Sequence, residues 1–207
     1  MRFNPYDSFY RRRRPHWQRE GAWHFITFRL EGTLPVKTIQ RLNEESKEIK
    51  KQLKNKYSDK IETQAFKFYQ WQFNWIDNYL DKQFDLTYLK KDEIATIVRD
   101  AMCFYENKEY QLDAWVIMPN HVHLLIKPNV TYKLKQILQQ IKGYTGKEIN
   151  KLLKIHGAFW QNEGFDHWVR PGKFLYWQNY IINNPVKAGL CKLPEEWIWS
   201  SAYKPMK

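Results

Sequence analysis

A chain of 207 residues is long enough for one sizeable hydrophobic core with an appended subdomain. Lys and Arg total 34 against 22 Asp and Glu, and the net charge of +12 points to a polyanionic partner. No apolar run approaches the roughly 20 residues that span a bilayer, and Met1–Asp7 lacks a signal-type apolar stretch, so nucleic acid is favoured over a membrane surface. Ten Trp, 13 Tyr and 12 Phe supply rings either for the core or for stacking on unpaired bases, with the core taking the larger share. Cys103 and Cys191 are far apart and in no Cys-x-x-Cys spacing, which reads as a reduced, cytoplasmic protein with two incidental thiols.

Residues 1–19 form a basic arm. Arg11, Arg12, Arg13 and Arg14 read as a clamp on a phosphate backbone or as a solvated run, and the clamp suits a chain this basic. Ala22–Leu30 is aromatic and β-branched enough to predict a strand, ended by Gly32 and Pro35. From 36 to about 91 the pattern predicts a helical insertion. Ile39, Leu42, Ser46, Ile49 and Leu53 mark its first helix; Phe66, Tyr69, Phe73, Ile76 and Leu80 mark a second over Thr63–Lys82. Asp92–Glu106 reads as a further helix, with Asp92 as N-cap and Ile94, Ile97, Val98 and Met102 on its apolar face.

Strands follow at Tyr110–Met118 and 121–127, separated by the turn signal Pro119-Asn120. Thr131–Lys154 is a long basic amphipathic helix whose Gly143 and Gly146 either break it or admit a backbone close by. Phe165–Arg170 reads as a short strand, Pro171-Gly172 as a turn, and Phe174–Asn184 as a helix stopping before Pro185. The tail from about 191 to 207 has little periodicity, and packing on the core is favoured for Trp197–Ser201 over reading bases. With the insertion set aside, the order β-α-β-β-α-β-α is that of a single α+β domain, an antiparallel sheet with helices packed on one face.

His121 and His123 stand two apart in a predicted strand, so both rings point to one face while Val122 points to the other. The pair reads either as two half-buried strand histidines or as two nitrogen ligands that leave room on a divalent cation for a third ligand, water or phosphate. Tyr180 and Asn184, four apart on a predicted helix, share one face. A phenol beside a carboxamide could serve as nucleophile and oxygen ligand. Equally, Tyr180 reads as an interface residue and Asn184 as a helix end before Pro185.

The blocks Trp115–Leu125, Phe159-Trp-Gln, Phe165-Asp-His, Tyr180–Leu190 and Trp197–Ser201 together resemble the REP-associated tyrosine transposases, in the single-tyrosine branch of the HUH single-strand nucleases. The blocks come in that family's order and cover roughly residues 20–30 and 92–202, with the helical stretch between them as an insertion of longer members. The resemblance implies the ferredoxin-like HUH nuclease fold, metal-binding histidines at His121 and His123, the nucleophile at Tyr180 and a third, polar ligand at Asn184. It implies Mg²⁺ or Mn²⁺, and cleavage and rejoining of single-stranded DNA beside palindromic hairpins through a 5′-phosphotyrosine link. The face bearing both histidines must then lie opposite Tyr180.

The expected partner is single-stranded or hairpin DNA, engaged by a monomer or homodimer that is nucleoid-associated when bound. Lys133, Lys135, Lys142 and Lys147 are expected near its phosphates, with Arg11–Arg14. Asn120 is assigned a turn role only, His167 an accessory contact or a structural one, and Lys173 no clear consequence. A non-catalytic hairpin-binding regulator and a replication-initiator-type nickase are the alternatives. The first is disfavoured by intact His121, His123 and Tyr180, the second by the absence of a fused helicase region from 207 residues.

Overall fold

Aromatic and β-branched runs become strands and the three-and-four periodic runs become helices. This is seen in a computed structural model that describes residues 8–11, 15–19, 21–58, 60–82, 85–162 and 164–205, the side chains of 8–11, 15–18 and 62 excepted. In chain order the elements are β1 (Ser8–Arg11), β2 (Pro15–Gln18), β3 (His24–Arg29), α1 (Val36–Lys56), α2 (Ile61–Leu80), α3 (Asp92–Phe104), β4 (Tyr110–Ile117), β5 (His121–Pro128), α4 (Leu134–Leu153), β6 (Phe165–Trp168), α5 (Phe174–Ile182) and α6 (Asn184–Lys187). Gly32–Asp85 forms one compact unit and the rest of the described chain forms the other.

The larger unit is built on a four-stranded antiparallel sheet in the order β4-β5-β3-β6. Its central strand β5 is buried along nearly its whole length. Val122, Leu124 and Ile126 on one face join Ile26 and Phe28 of β3, and α3 and α4 cover them with Ile94, Val98, Met102, Leu134, Ile137 and Ile141. This is the expected α+β antiparallel sheet, although helices cover both of its faces rather than one. The other face carries His121, His123 and Leu125 with their cross-strand partners Arg29, Thr27 and Phe25, and α5 lies over it.

Local chemistry departs from expectation in three places. Asp92 opens α3 but does not cap it: Lys91 holds the N-cap position, and the Asp92 carboxylate accepts from Trp199 Nε1 at 3.2 Å. Pro185 does not stop the chain's helical course, because Asn183 ends α5 and Pro185 then sits in the first turn of α6, where its missing N–H costs nothing. Neither Gly143 nor Gly146 breaks α4. A Cβ at Gly146 would make ordinary contact with Phe159 and Trp160, and one at Gly143 would meet nothing, so neither glycine is required by a closely packed backbone.

The tail packs as expected. Ile117 N–H donates to Trp199 O at 2.8 Å, Ser201 N–H to Trp115 O at 2.9 Å, and Trp197 Nε1 to Ile117 O at 3.0 Å. These bonds occupy the outer edge of β4, which would otherwise expose a row of unpaired backbone groups. At the start of the chain β1 and β2 pair antiparallel, Ser8 with Gln18 through Arg11 with Pro15. Arg12–Arg14 and the side chain of Arg11, expected to clamp DNA, lie outside the described residues.

In the smaller unit, Leu34 and Leu42 pack with Ile76 and Leu80 of α2, flanked by Trp71, Trp75 and Tyr79. Trp75 Nε1 donates to Glu45 at 2.7 Å, and Arg41 reaches the same carboxylate from one turn away. Both contacts hold Glu45 below the usual carboxylate range, Arg41 the more strongly.

Two measurements check this packing. Trp199→Ala should cost about 3–5 kcal/mol in a urea unfolding curve, since it empties a buried site and removes the indole bond to Asp92. Burial pushes the imidazoles of His24 and His167 down to about 4. An unfolded histidine titrates near 6.5, so between about 6.5 and 4 the unfolded chain takes up protons that the folded chain refuses. Stability should be complete above about pH 6.5 and fall toward pH 4, by up to about 3 kcal/mol per histidine. A thermal midpoint that stays flat across that interval would contradict the burial of both rings.

Candidate active site

The β5 pleat puts His121 and His123 on the α5 face, both fully buried. Each ring is held by its Nδ1: His121 by Asn120 Oδ1 at 2.6 Å, and His123 by Thr27 Oγ1 at 2.7 Å. Because a carboxamide oxygen only accepts, the His121 Nδ1 carries the proton and its Nε2 presents a lone pair. The two Nε2 atoms converge to 3.1 Å. That spacing fits a shared divalent cation, since two nitrogens bound at about 2.1 Å and a right angle stand about 3 Å apart. The Nδ1 bonds are the outer contacts that orient such ligands.

Tyr180 reaches this face from α5. Its ring centroid lies 5.8 Å from that of His123, 5.7 Å from Phe25 and 5.7 Å from Trp177, each at a steep edge-on angle. Phe25 stacks on Trp177 at 4.1 Å and on His123 at 5.4 Å, so one ring of β3 props both the tyrosine helix and a histidine. A β-bulge between Leu112 and Ala114 frees Asp113 to accept from Gln178 of α5 at 2.8 Å, a second tie on that helix. The Lys187 ammonium stands 5.5 Å over the Tyr180 ring. Imidazole and phenol therefore meet within one chain.

Asn184 lies one helical turn beyond Tyr180 and is 1% exposed. Neither its Oδ1 nor its Nδ2 has a hydrogen-bond partner among the described residues. Such an orphaned buried carboxamide costs about 1–3 kcal/mol, and a ligand that engages it would offset that cost. Two imidazoles with converging Nε2 atoms suit a borderline divalent cation and leave room for an oxygen ligand.

Other expected residues fall elsewhere. Lys133, Lys135 and Lys147 are exposed on or beside α4. Lys142 is half-buried, and its ammonium donates to the carbonyls of Gln161 and Asn162 at 2.6 and 3.1 Å, tying down the loop before β6. His167 is mostly buried, 5.7 Å from Trp177, and burial backed by the Arg170 charge holds it neutral. Asn120 does more than turn the chain, since it orients His121 and its carbonyl accepts from Leu30 N–H at 3.0 Å.

Sequence reasoning missed Thr27, Phe25, Asp113, Trp177 and Lys187. Alternation along 24–29 puts Phe25 and Thr27 on one face, yet nothing local says that β3 is the neighbour of β5. Titration calorimetry with Mn²⁺ checks the histidine pair. His121→Ala and His123→Ala should abolish binding, and Thr27→Val should weaken it about tenfold by releasing the His123 ring.

Comparison with known proteins supplies a context for this geometry. Residues 75–184, which contain His121, His123, Tyr180 and Asn184, match the family described as "Transposase IS200 like". A relative from Haemophilus influenzae named as a REP-associated tyrosine transposase is 26% identical over 113 residues, 49% of this chain. The chain spans 64% of the length of that relative. A solved structure of a REP-associated tyrosine transposase bound to a REP hairpin shares the fold, with a TM-score of 0.54 at 16% identity over 94% of this chain and 82% of that one. Family and fold thus agree with the resemblance read from the sequence, at the level of an IS200-like transposase.

Proposed function

Since the chain belongs to the IS200-like transposase family, we propose that it cuts and rejoins single-stranded DNA beside hairpins, with Tyr180 as the nucleophile. The observation that carries this reading is the meeting of the Tyr180 ring with His123, whose Nε2 converges with that of His121. A bound Mg²⁺ or Mn²⁺ would supply Lewis-acid polarisation of a non-bridging phosphate oxygen. His121, His123 and Asn184 are the residues that would hold it.

The chain's own groups do the rest. Tyr180 Oη forms a bond to phosphorus while the bond from phosphorus to the 3′ oxygen breaks. The phenolic proton passes to solvent, and the departing oxygen takes one up as a 3′-OH. The product is a 5′-phosphotyrosine, an ester close in energy to the diester it replaces, so a 3′-OH can reverse the step on another end. The Phe25–Trp177 stack and the Asp113–Gln178 bond limit how far the phenol wanders from the line of attack. Lys187 places a cation where the phosphate must approach.

Hairpin DNA is the proposed substrate because the similar fold was solved with a hairpin and because this chain carries +12. Lys133, Lys135 and Lys147 are the described cations assigned to its phosphates. No helix among the described residues is long and apolar enough to cross a membrane.

With Mn²⁺ and a single-stranded hairpin oligonucleotide, the protein should form a covalent adduct that survives a denaturing gel. Tyr180→Phe should lose the adduct completely and keep hairpin binding. An undiminished adduct in that variant would remove Tyr180 from the role.

A further inference from the structure

On the sheet face opposite Tyr180, a recess of about 660 Å³ lies between α4 and β6. Ile26 and Phe28 of the sheet line it, as do Phe159 and Trp160. The α4 wall includes the stripe Lys135, Gln139, Gly143 and Gly146–Lys147, spaced by four, four and three to four residues, with Lys142 beside it. Gly143 sits in mid-helix, where glycine costs about 0.5–1 kcal/mol against alanine. Its place is imposed neither by a positive φ nor by a neighbour, since a Cβ there would meet nothing within 4 Å. What the glycine leaves is room.

The opposite wall ends in Asp166 of β6, a carboxylate 5% exposed. A buried carboxylate repels phosphate but accepts hydrogen bonds from the donor groups on a base edge. The volume lies within the roughly 300–1,000 Å³ of sites that enclose a small organic ligand; a nucleotide fits and a duplex does not. Resting on the DNA reading above, we propose that the recess holds one unpaired base of the substrate. Asp166 reads its Watson–Crick edge, and Lys135 and Lys147 at the rim hold the adjoining phosphates. β6 is the last strand of its sheet, with β2 packed beside it, and it turns Phe165 toward Phe25 on the tyrosine side and Asp166 toward the recess.

The test is equilibrium binding of the full chain, without metal, to a labelled hairpin oligonucleotide whose unpaired flank carries an abasic site at each position in turn. One position should weaken wild-type binding about tenfold, the scale of one stacked or hydrogen-bonded base. Gly143→Leu, whose Cβ meets nothing within 4 Å and whose side chain fills part of the recess, should show that tenfold loss on the intact oligonucleotide and no further loss on the abasic one. Asp166→Asn should change which base is preferred there. A flat abasic scan, or a Gly143→Leu protein with wild-type affinity, would overturn the inference. The Tyr180 adduct, measured separately on a strand with the cleavage site, tells whether the cleavage reading stands when the recess reading fails.

Discussion

Two imidazoles buried side by side on the central strand of a sheet set the terms for everything around them. Buried polar nitrogens must be satisfied, and here each Nδ1 is, by Asn120 in one case and Thr27 in the other. With those ends held, both Nε2 atoms are forced toward one point 3.1 Å apart. Two imidazole nitrogens at that distance can share a proton or a cation between them. A strand that was simply hydrophobic would pack as well and offer no such point.

The tyrosine helix is placed by the same strand pair. Phe25 sits across from Leu125 and two residues from Thr27, so the β3 register that satisfies His123 also positions the ring on which Trp177 stacks. A shift of one residue would turn Thr27 and Phe25 to the α3–α4 face and lose both functions together. Gly164 protects this register on the far side: a Cβ there would stand 2.7 Å from the Thr27 carbonyl, so a larger residue would push the approach to β6 away from β3. The tail bonds β4 at one end of the sheet, and at the other end β2 packs beside β6, the strand that separates the tyrosine face from the basic recess.

Charge is divided by surroundings rather than by residue type. Lys142 lies on the same basic helix as Lys135 and Lys147, yet it spends its donors on two loop carbonyls. Asp166 is acidic in the wall of an otherwise basic recess. His24 and His167 share the sheet with the paired histidines but are pushed neutral by burial. The four histidines on the four-stranded sheet thus play unlike parts.

Much of this was legible beforehand, because it rests on local periods. A repeat of two separates His121 and His123 from Val122, and a repeat near 3.6 puts Tyr180 and Asn184 on one helix face, whatever the rest of the chain does. Strand and helix positions followed from the same periods, with errors at Asp92 and Pro185 where a distant tryptophan and a second helical turn intervened. Pairing across the sheet has no such local sign. Thr27 and His123 are 96 residues apart, and only the packed structure brings them to 2.7 Å. The same holds for Phe25 beneath Tyr180 and for Asn120, which reads as a turn residue until its carboxamide is seen on the neighbouring imidazole. Sequence alone determined which residues can share a face; tertiary structure decided which faces meet, because strand order and register are settled by burial summed over the whole core.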